Sequence, residues 1–241
     1  MIIYVLFAIL LFSLLYASFS SLPIEGFDNT RKPLDTTIDA IYYINLNKRN
    51  DRKEQYLDNF NEKDEPRIHR IAAHYYPDNG AVGCLMSHIT ALNRAYQENL
   101  GENILICEDD FYIKDMEYCN RMLSVFFTNV KSWDVLMLGH NTSRSTDTRI
   151  TPDSPEKIIK IEESQTTSAY LIKRPYIPKL LQIYERDMAN YMKTGEWGNY
   201  YTDQSWKVLQ PVDKWYAFEP SVGVQRASYS DIEKGYANYG V

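Results

Sequence analysis

From Ile104 to Cys107 the chain is apolar, and it then runs straight into Glu108-Asp109-Asp110 before Phe111 and Tyr112. A continuous apolar run of this kind predicts a strand buried on both faces, the environment of a parallel sheet covered by helices. Three adjacent carboxylates at a strand's end repel one another unless solvent or a cation separates them. They form either a divalent-metal site at the carboxyl edge of an α/β sheet, where such folds place ligands, or a solvated acidic turn capping the next helix.

The flanking segments alternate between strand and helix patterns. A first central strand is expected over Ile38–Leu46, rich in β-branched and aromatic residues. It ends in the basic turn Asn47–Lys53, where Arg49 and Arg52 either meet an anionic ligand or form a solvated helix face running to about Phe60. Arg67–Ala73 alternates as a second strand, and after the Pro77–Gly80 turn a helix follows. Its buried stripe is Val82, Leu85, Met86, Ile89, Leu92 and Tyr96. Gly83 and Ser87 share another face that permits close approach of a ligand or strand. His88 flanks the stripe and, taken alone, reads as a satisfied semi-buried histidine.

Beyond the acidic strand, a helix is expected over 115–130 and a buried strand over Trp133–Gly139. Residues 140–156 are polar and without apolar periodicity, which predicts a long mobile loop of the kind that serves as a lid. Then come a strand over Ser164–Ile172, a helix from Pro175 to about Met192, an aromatic loop at 195–201, and a helix start at Thr202–Ser205 capped by Thr202 or Asp203. A last strand is expected over Lys214–Phe218. This order argues for one α/β domain with a mainly parallel central sheet.

Composition narrows the function classes. In 241 residues, 44% hydrophobic and 14% aromatic content describe a globular chain, and a net charge of −6 gives no support for nucleic-acid binding. Twenty tyrosines suit a protein that lines grooves with amphipathic rings. The three cysteines have no zinc-like spacing among themselves and fit buried free thiols. Ile2–Leu22 carries no charge over 21 residues, enough as a helix to cross about 30 Å of bilayer core. An uncleaved anchor over 1–22 is favoured over a signal peptide, with 23–37 as linker and 38–241 as the catalytic domain; the flanking charges fix neither lumenal nor cytoplasmic orientation. Asn141-Thr142-Ser143 is a glycosylation sequon of low specificity.

Five separated blocks resemble glycosyltransferase family 25. They are Tyr43-Ile44-Asn45-Leu46 through Arg49 and Arg52, Gly83-Cys84-Leu85-Met86-Ser87-His88, Glu108-Asp109-Asp110, and Thr167–Ile172 with Lys179-Leu180-Leu181. The last is Asp203-Gln204 with the Pro220–Asp231 tail. This resemblance over roughly 40–232 implies a GT-A nucleotide-sugar fold. It also implies a metal-dependent (Mn²⁺ or Mg²⁺), inverting transfer of a hexose from UDP-galactose or UDP-glucose to a glycan or protein hydroxyl. No histidine follows His140, so a carboxyl-terminal histidine ligand is absent and water, Asp231 or Gln225 completes the metal shell.

Within that frame Asp110 is expected to hold the metal with Glu108 assisting, and Asp109, pointing the other way, to hold the ribose or the transferred sugar. Asn45, Leu46 and Arg49 are expected at the nucleotide, and Ser87 and His88 at the donor. Asp203 is the candidate general base, with a plain helix cap as its alternative. The rivals are a glycoside hydrolase, which also needs two carboxylates, and a membrane-anchored, non-catalytic carbohydrate-binding protein.

Overall fold

The computed structural model describes residues 33–60, 65–149, 155–196, 201–230 and 234–238. The expected anchor over 1–22, most of the linker, residues 197–200 of the aromatic loop and Asp231 lie outside the described residues. Among the described residues no helix is long and apolar enough to cross a membrane.

The elements run β1 (Ala40–Asn45), α1 (Asn50–Phe60), β2 (Ile68–Ala72), α2 (Gly80–Glu98), β3 (Asn103–Glu108), β4 (Phe111–Ile113) and α3 (Met116–Asn129). They continue with β5 (Val135–Arg149), β6 (Lys157–Lys173), α4 (Ile177–Thr194), the single turn α5 (Thr202–Ser205), β7 (Trp215–Glu219), β8 (Gly223–Gln225), β9 (Ser228–Ser230) and β10 (Gly235–Ala237). A six-stranded sheet has the order β2-β1-β3-β6-β5-β7. β1 pairs in parallel with β2 and β3, and β5 pairs in parallel with β7. Only β6 runs against its neighbours. The sheet is therefore mainly parallel, as the strand–helix alternation requires.

Period-two alternation sorts each central strand between two cores. Tyr42, Ile44, Ile104 and Ile106 pack with Val82, Leu85 and Leu92 of α2 and with Leu180 and Tyr184 of α4. Ile41, Tyr43, Leu105 and Cys107 face the other way, onto Tyr56 and Phe60 of α1 and Cys119, Met122, Leu123 and Phe126 of α3. Burial on both faces is why β3 shows no polar alternation. Each of these large side chains contributes roughly 1.5–3 kcal/mol by leaving water. The frame that carries the acidic strand end is thus rigid.

Three expectations are corrected. Residues 140–149 are not a loop but the continuation of β5, paired with β6 in an antiparallel hairpin from Asn141↔Gln165 to Arg149↔Lys157. Thr142, Thr146 and Thr148 supply β-branched residues, and the partner strand is anchored by buried isoleucines, Ile159 and Ile161 in one core and Ile158 in the other. Polarity in 141–146 thus marks a largely exposed strand, and the described residues 140–149 form no loop lid. Tyr201, not Thr202 or Asp203, occupies the N-cap of α5, without a side-chain capping bond. Leu34, expected in the linker, is packed in the core.

Candidate active site

The carboxyl ends of β1 and β3 open into a cavity of about 340 Å³. Its walls come from the turn after β1 (Leu46, Lys48, Arg49, Arg52), the loop between β2 and α2 (His74–Pro77), the first two turns of α2, the end of β3, and the returning tail around Gln225–Ser230. In such sheets a crevice beyond the strands' carboxyl ends is where ligands bind.

Each acid in Glu108-Asp109-Asp110 has its own surroundings. Glu108 Oε1 accepts from Thr167 Oγ1 at 2.5 Å and lies 3.4 Å from His88 Nε2. Burial alone would raise the Glu108 pKa, but the bonds from His88 and Thr167 and the charge of Arg52 hold it below its ordinary value. Asp109 accepts from Asn45 Nδ2 at 2.7 Å through Oδ2 and from Arg52 at 2.9 Å through Oδ1; the same Arg52 nitrogen reaches Asp110, so the two aspartates do not point apart as expected. Burial nonetheless raises its pKa.

Asp110 Oδ2 accepts from Arg52 at 3.0 Å and from Gln225 at 3.2 Å. Its Oδ1 is buried with no hydrogen-bond partner. Burial, with the charge of Glu108 next, pushes Asp110 up to about 7. A lone buried carboxylate oxygen carries a desolvation cost unless something coordinates it. The Oδ1 atom and the all-oxygen carboxylate set around it fit a hard divalent cation.

The basic turn is organised by these acids. Arg52 also donates to Ser228 Oγ at 2.6 Å and to the Tyr229 carbonyl at 2.9 Å, clamping the tail over the strand end. Arg49 donates to Asp51 and to the same carbonyl. Pairing of β4 with β8 sets Phe111 against Gln225 and so delivers Gln225 to Asp110. That register depends on Gly223, where an added Cβ would sit 2.2 Å from the Phe111 ring.

On the α2 wall, Asn79 caps the helix by accepting from Ala81 N–H at 3.1 Å. The close approach expected at Gly83 and Ser87 is made by the chain itself. A Cβ on Gly83 would meet the His74 carbonyl at 2.5 Å, and Ser87 Oγ accepts from His74 N–H at 2.8 Å while donating to the Gly83 carbonyl. His88 is fully buried, its Nδ1 lying 3.1 Å from the Tyr170 hydroxyl.

Seven of the residues expected at the site therefore line one cavity: Leu46, Arg49, Ser87, His88, Glu108, Asp109 and Asp110. Asn45 stands behind them and orients Asp109. Asp203 is not among the lining residues. Its Oδ2 accepts from Thr166 N–H and its Oδ1 from Gln204, both at 3.2 Å. Thr166 has φ +82°, an uncommon conformation for a β-branched residue, and it immediately precedes the Thr167 that bonds Glu108. Cys84 and Thr167 were missed as site residues. Both stand in blocks that resemble the family, and for Cys84 its helical spacing to His88 was a further signal.

Comparison with known proteins agrees with this geometry. The sequence profile of glycosyltransferase family 25 (LPS biosynthesis protein) matches residues 78–192, just under half of the chain, and spans α2, the acidic motif and most of α4. A crystal structure of a glycosyltransferase involved in glycosylation of the major capsid of PBCV-1 superposes with a TM-score of 0.51. It shares 9% identity, with 81% of this chain and 95% of that chain covered, and so shows a common fold. A197 from STIV (TM-score 0.42, 8% identity, 75% of this chain and 81% of that one) and a UTP-bound UGPase from Acinetobacter baumannii (0.39, 13%, 70% and 59%) are more distant. No curated protein matches by sequence.

Proposed function

With residues 78–192 matching glycosyltransferase family 25 on a glycosyltransferase-like fold, we propose that the chain transfers a hexose, galactose or glucose, from a UDP-sugar to a hydroxyl of a glycan or protein. The observation that carries this reading is the partnerless Asp110 Oδ1 in the wall of a cavity that also holds Lys48, Arg49, Arg226 and Lys234. Acid for a cation and base for a diphosphate meet in one space.

Asp110, with Glu108 beside it, would hold Mn²⁺ or Mg²⁺. When bound, such an ion neutralises the charge that builds on a departing diphosphate. The chain's own groups do the rest. Lys48 and Arg49 add fixed positive charge at the mouth of the cavity, and Lys48 itself lies over the Tyr75 ring at 4.2 Å. Asn45 and Arg52 hold Asp109 in a single orientation, available to a sugar or ribose hydroxyl. Leu46 supplies an apolar contact beside them, while Ser87 secures the floor loop and His88 the Glu108 side.

Inversion places the acceptor oxygen opposite the leaving group. That oxygen bonds the anomeric carbon, the bond to the diphosphate breaks, the acceptor proton passes to the Asp203 carboxylate, and UDP leaves. Residues 2–22 would tether this domain to a membrane.

The test is UDP release by the full chain from UDP-galactose and UDP-glucose, with and without Mn²⁺ and a hydroxyl acceptor. Acceptor-dependent release is expected, and its absence with every donor would sink the reading. In Asp203→Asn, turnover should fall about a hundredfold or more with UDP affinity intact. If only thermal stability changes, Asp203 braces Thr166 and is not the base.

A further inference from the structure

Cys84 and His88 are four residues apart on α2 and so project from one helix face. Glu108, at the end of β3, meets them from the neighbouring sheet. The Cys84 sulfur, a His88 ring nitrogen and a Glu108 carboxylate oxygen all lie within 4.8 Å of one another. All three line the cavity, so a fourth position opens into its volume.

We propose that Cys84, His88 and Glu108 form a site for a borderline-soft divalent cation, Zn²⁺ in the first place, which adjoins the hard-cation position at Asp110, shares Glu108 with it and differs from it in its sulfur and imidazole ligands. Three protein ligands with one open position is the arrangement of an accessible zinc site. Sulfur and imidazole select Zn²⁺ or Co²⁺ over Mg²⁺. Ligand atoms around tetrahedral zinc stand roughly 3.3–3.8 Å apart, given metal–ligand bonds of about 2.0–2.3 Å. The cluster therefore needs only a small contraction.

The supporting contacts are already built. Tyr170 beside Nδ1 fixes the His88 ring with Nε2 towards Glu108, and Thr167 holds the Glu108 carboxylate. Such outer partners orient metal ligands. The contacts that must be exchanged are long: 3.4 Å from His88 to Glu108 and 3.5 Å from Thr202 to Cys84. Binding releases the thiol proton to solvent. Thiolate, carboxylate and Zn²⁺ then sum to zero charge, which suits a largely buried wall.

Titration of the full chain with Co²⁺, followed by absorption, tests this independently of any transferase activity. A near-ultraviolet thiolate-to-cobalt charge-transfer band with tetrahedral visible bands is expected, and Zn²⁺ should erase both. Cys84→Ser should abolish the charge-transfer band and weaken Co²⁺ binding about tenfold or more. Asp110→Asn should leave the band in place. No such band in the wild type, its persistence in Cys84→Ser, or its loss in Asp110→Asn would each overturn the proposal. Zinc K-edge absorption of the wild-type protein needs no substitution. One sulfur among nitrogen and oxygen ligands is expected, and a shell without sulfur contradicts the site.

Discussion

Glu108 and Asp110 stand two residues apart, yet they belong to walls of opposite construction. On the Glu108 side the partners are the uncharged hydroxyl of Thr167 and the ring of His88, carried by β6 and α2 within the rigid sheet frame. On the Asp110 side they are Arg52 and Gln225, and the second arrives with a tail folded back from far along the chain. The first wall holds its acid ionised; the second holds its acid near neutrality with one oxygen unpartnered. A carboxylate strained in this way is what a cation or a charged ligand relieves. One strand end can thus offer a satisfied group and an unsatisfied one side by side.

The comparison breaks most sharply at Asp110. Asp110→Asn should lower turnover about a thousandfold by removing the charge that a cation needs; steady-state assay of UDP release checks this. A smaller loss would move the site's key group elsewhere.

The pH dependence of stability comes next. Asp110 is raised from 3.8 to about 7, so the folded state binds its proton more tightly than the unfolded chain does. Its stabilising contribution is therefore present below about pH 4 and is lost as pH rises to about 7, on the order of 3–4 kcal/mol. Glu108 runs the other way: its folded pKa is depressed, so its contribution is present above the ordinary carboxylate value and is lost as pH falls through the lower folded one. Thermal unfolding without divalent ions, from pH 4 to pH 8, should show the Asp110 decline, and Asp110→Asn should flatten it.

Arg52→Ala should cost about 3 kcal/mol and lower Tm by about 6–12 °C, because it leaves two buried carboxylates unpaired and frees the tail. Calorimetric or spectroscopic melting measures it. The smallest effect is on the other wall, where Thr167→Val should cost about 1–2 kcal/mol and raise the Glu108 pKa by removing its hydroxyl donor.

Legibility in the sequence followed the range of the interactions. The two-face burial of β3 and the acidic strand end are written in consecutive residues and stand where their pattern places them, whereas of the expected α2 stripe Val82, Leu85 and Leu92 are buried, Met86 and Ile89 are half-buried, and Tyr96 is exposed. Arg52 was visible as a basic residue near the strand end, but pairing with Asp109 and Asp110 depends on the fold bringing α1 and β3 together. The Gln225 and Ser228 contacts depend on the β4–β8 pairing, which short strands do not announce. Residues 140–149 misled because an exposed hairpin strand and a loop share a polar composition, and only the isoleucines of the partner strand tell them apart. Thr166 carries no signal for its φ of +82°.

The most direct measurement is calorimetric titration of UDP into the full chain, with and without Mn²⁺, for the wild type and Asp110→Asn. The account predicts UDP binding that Mn²⁺ tightens about tenfold or more and that loses its Mn²⁺ dependence in Asp110→Asn. Absence of UDP binding, or binding indifferent to both Mn²⁺ and Asp110, would contradict it.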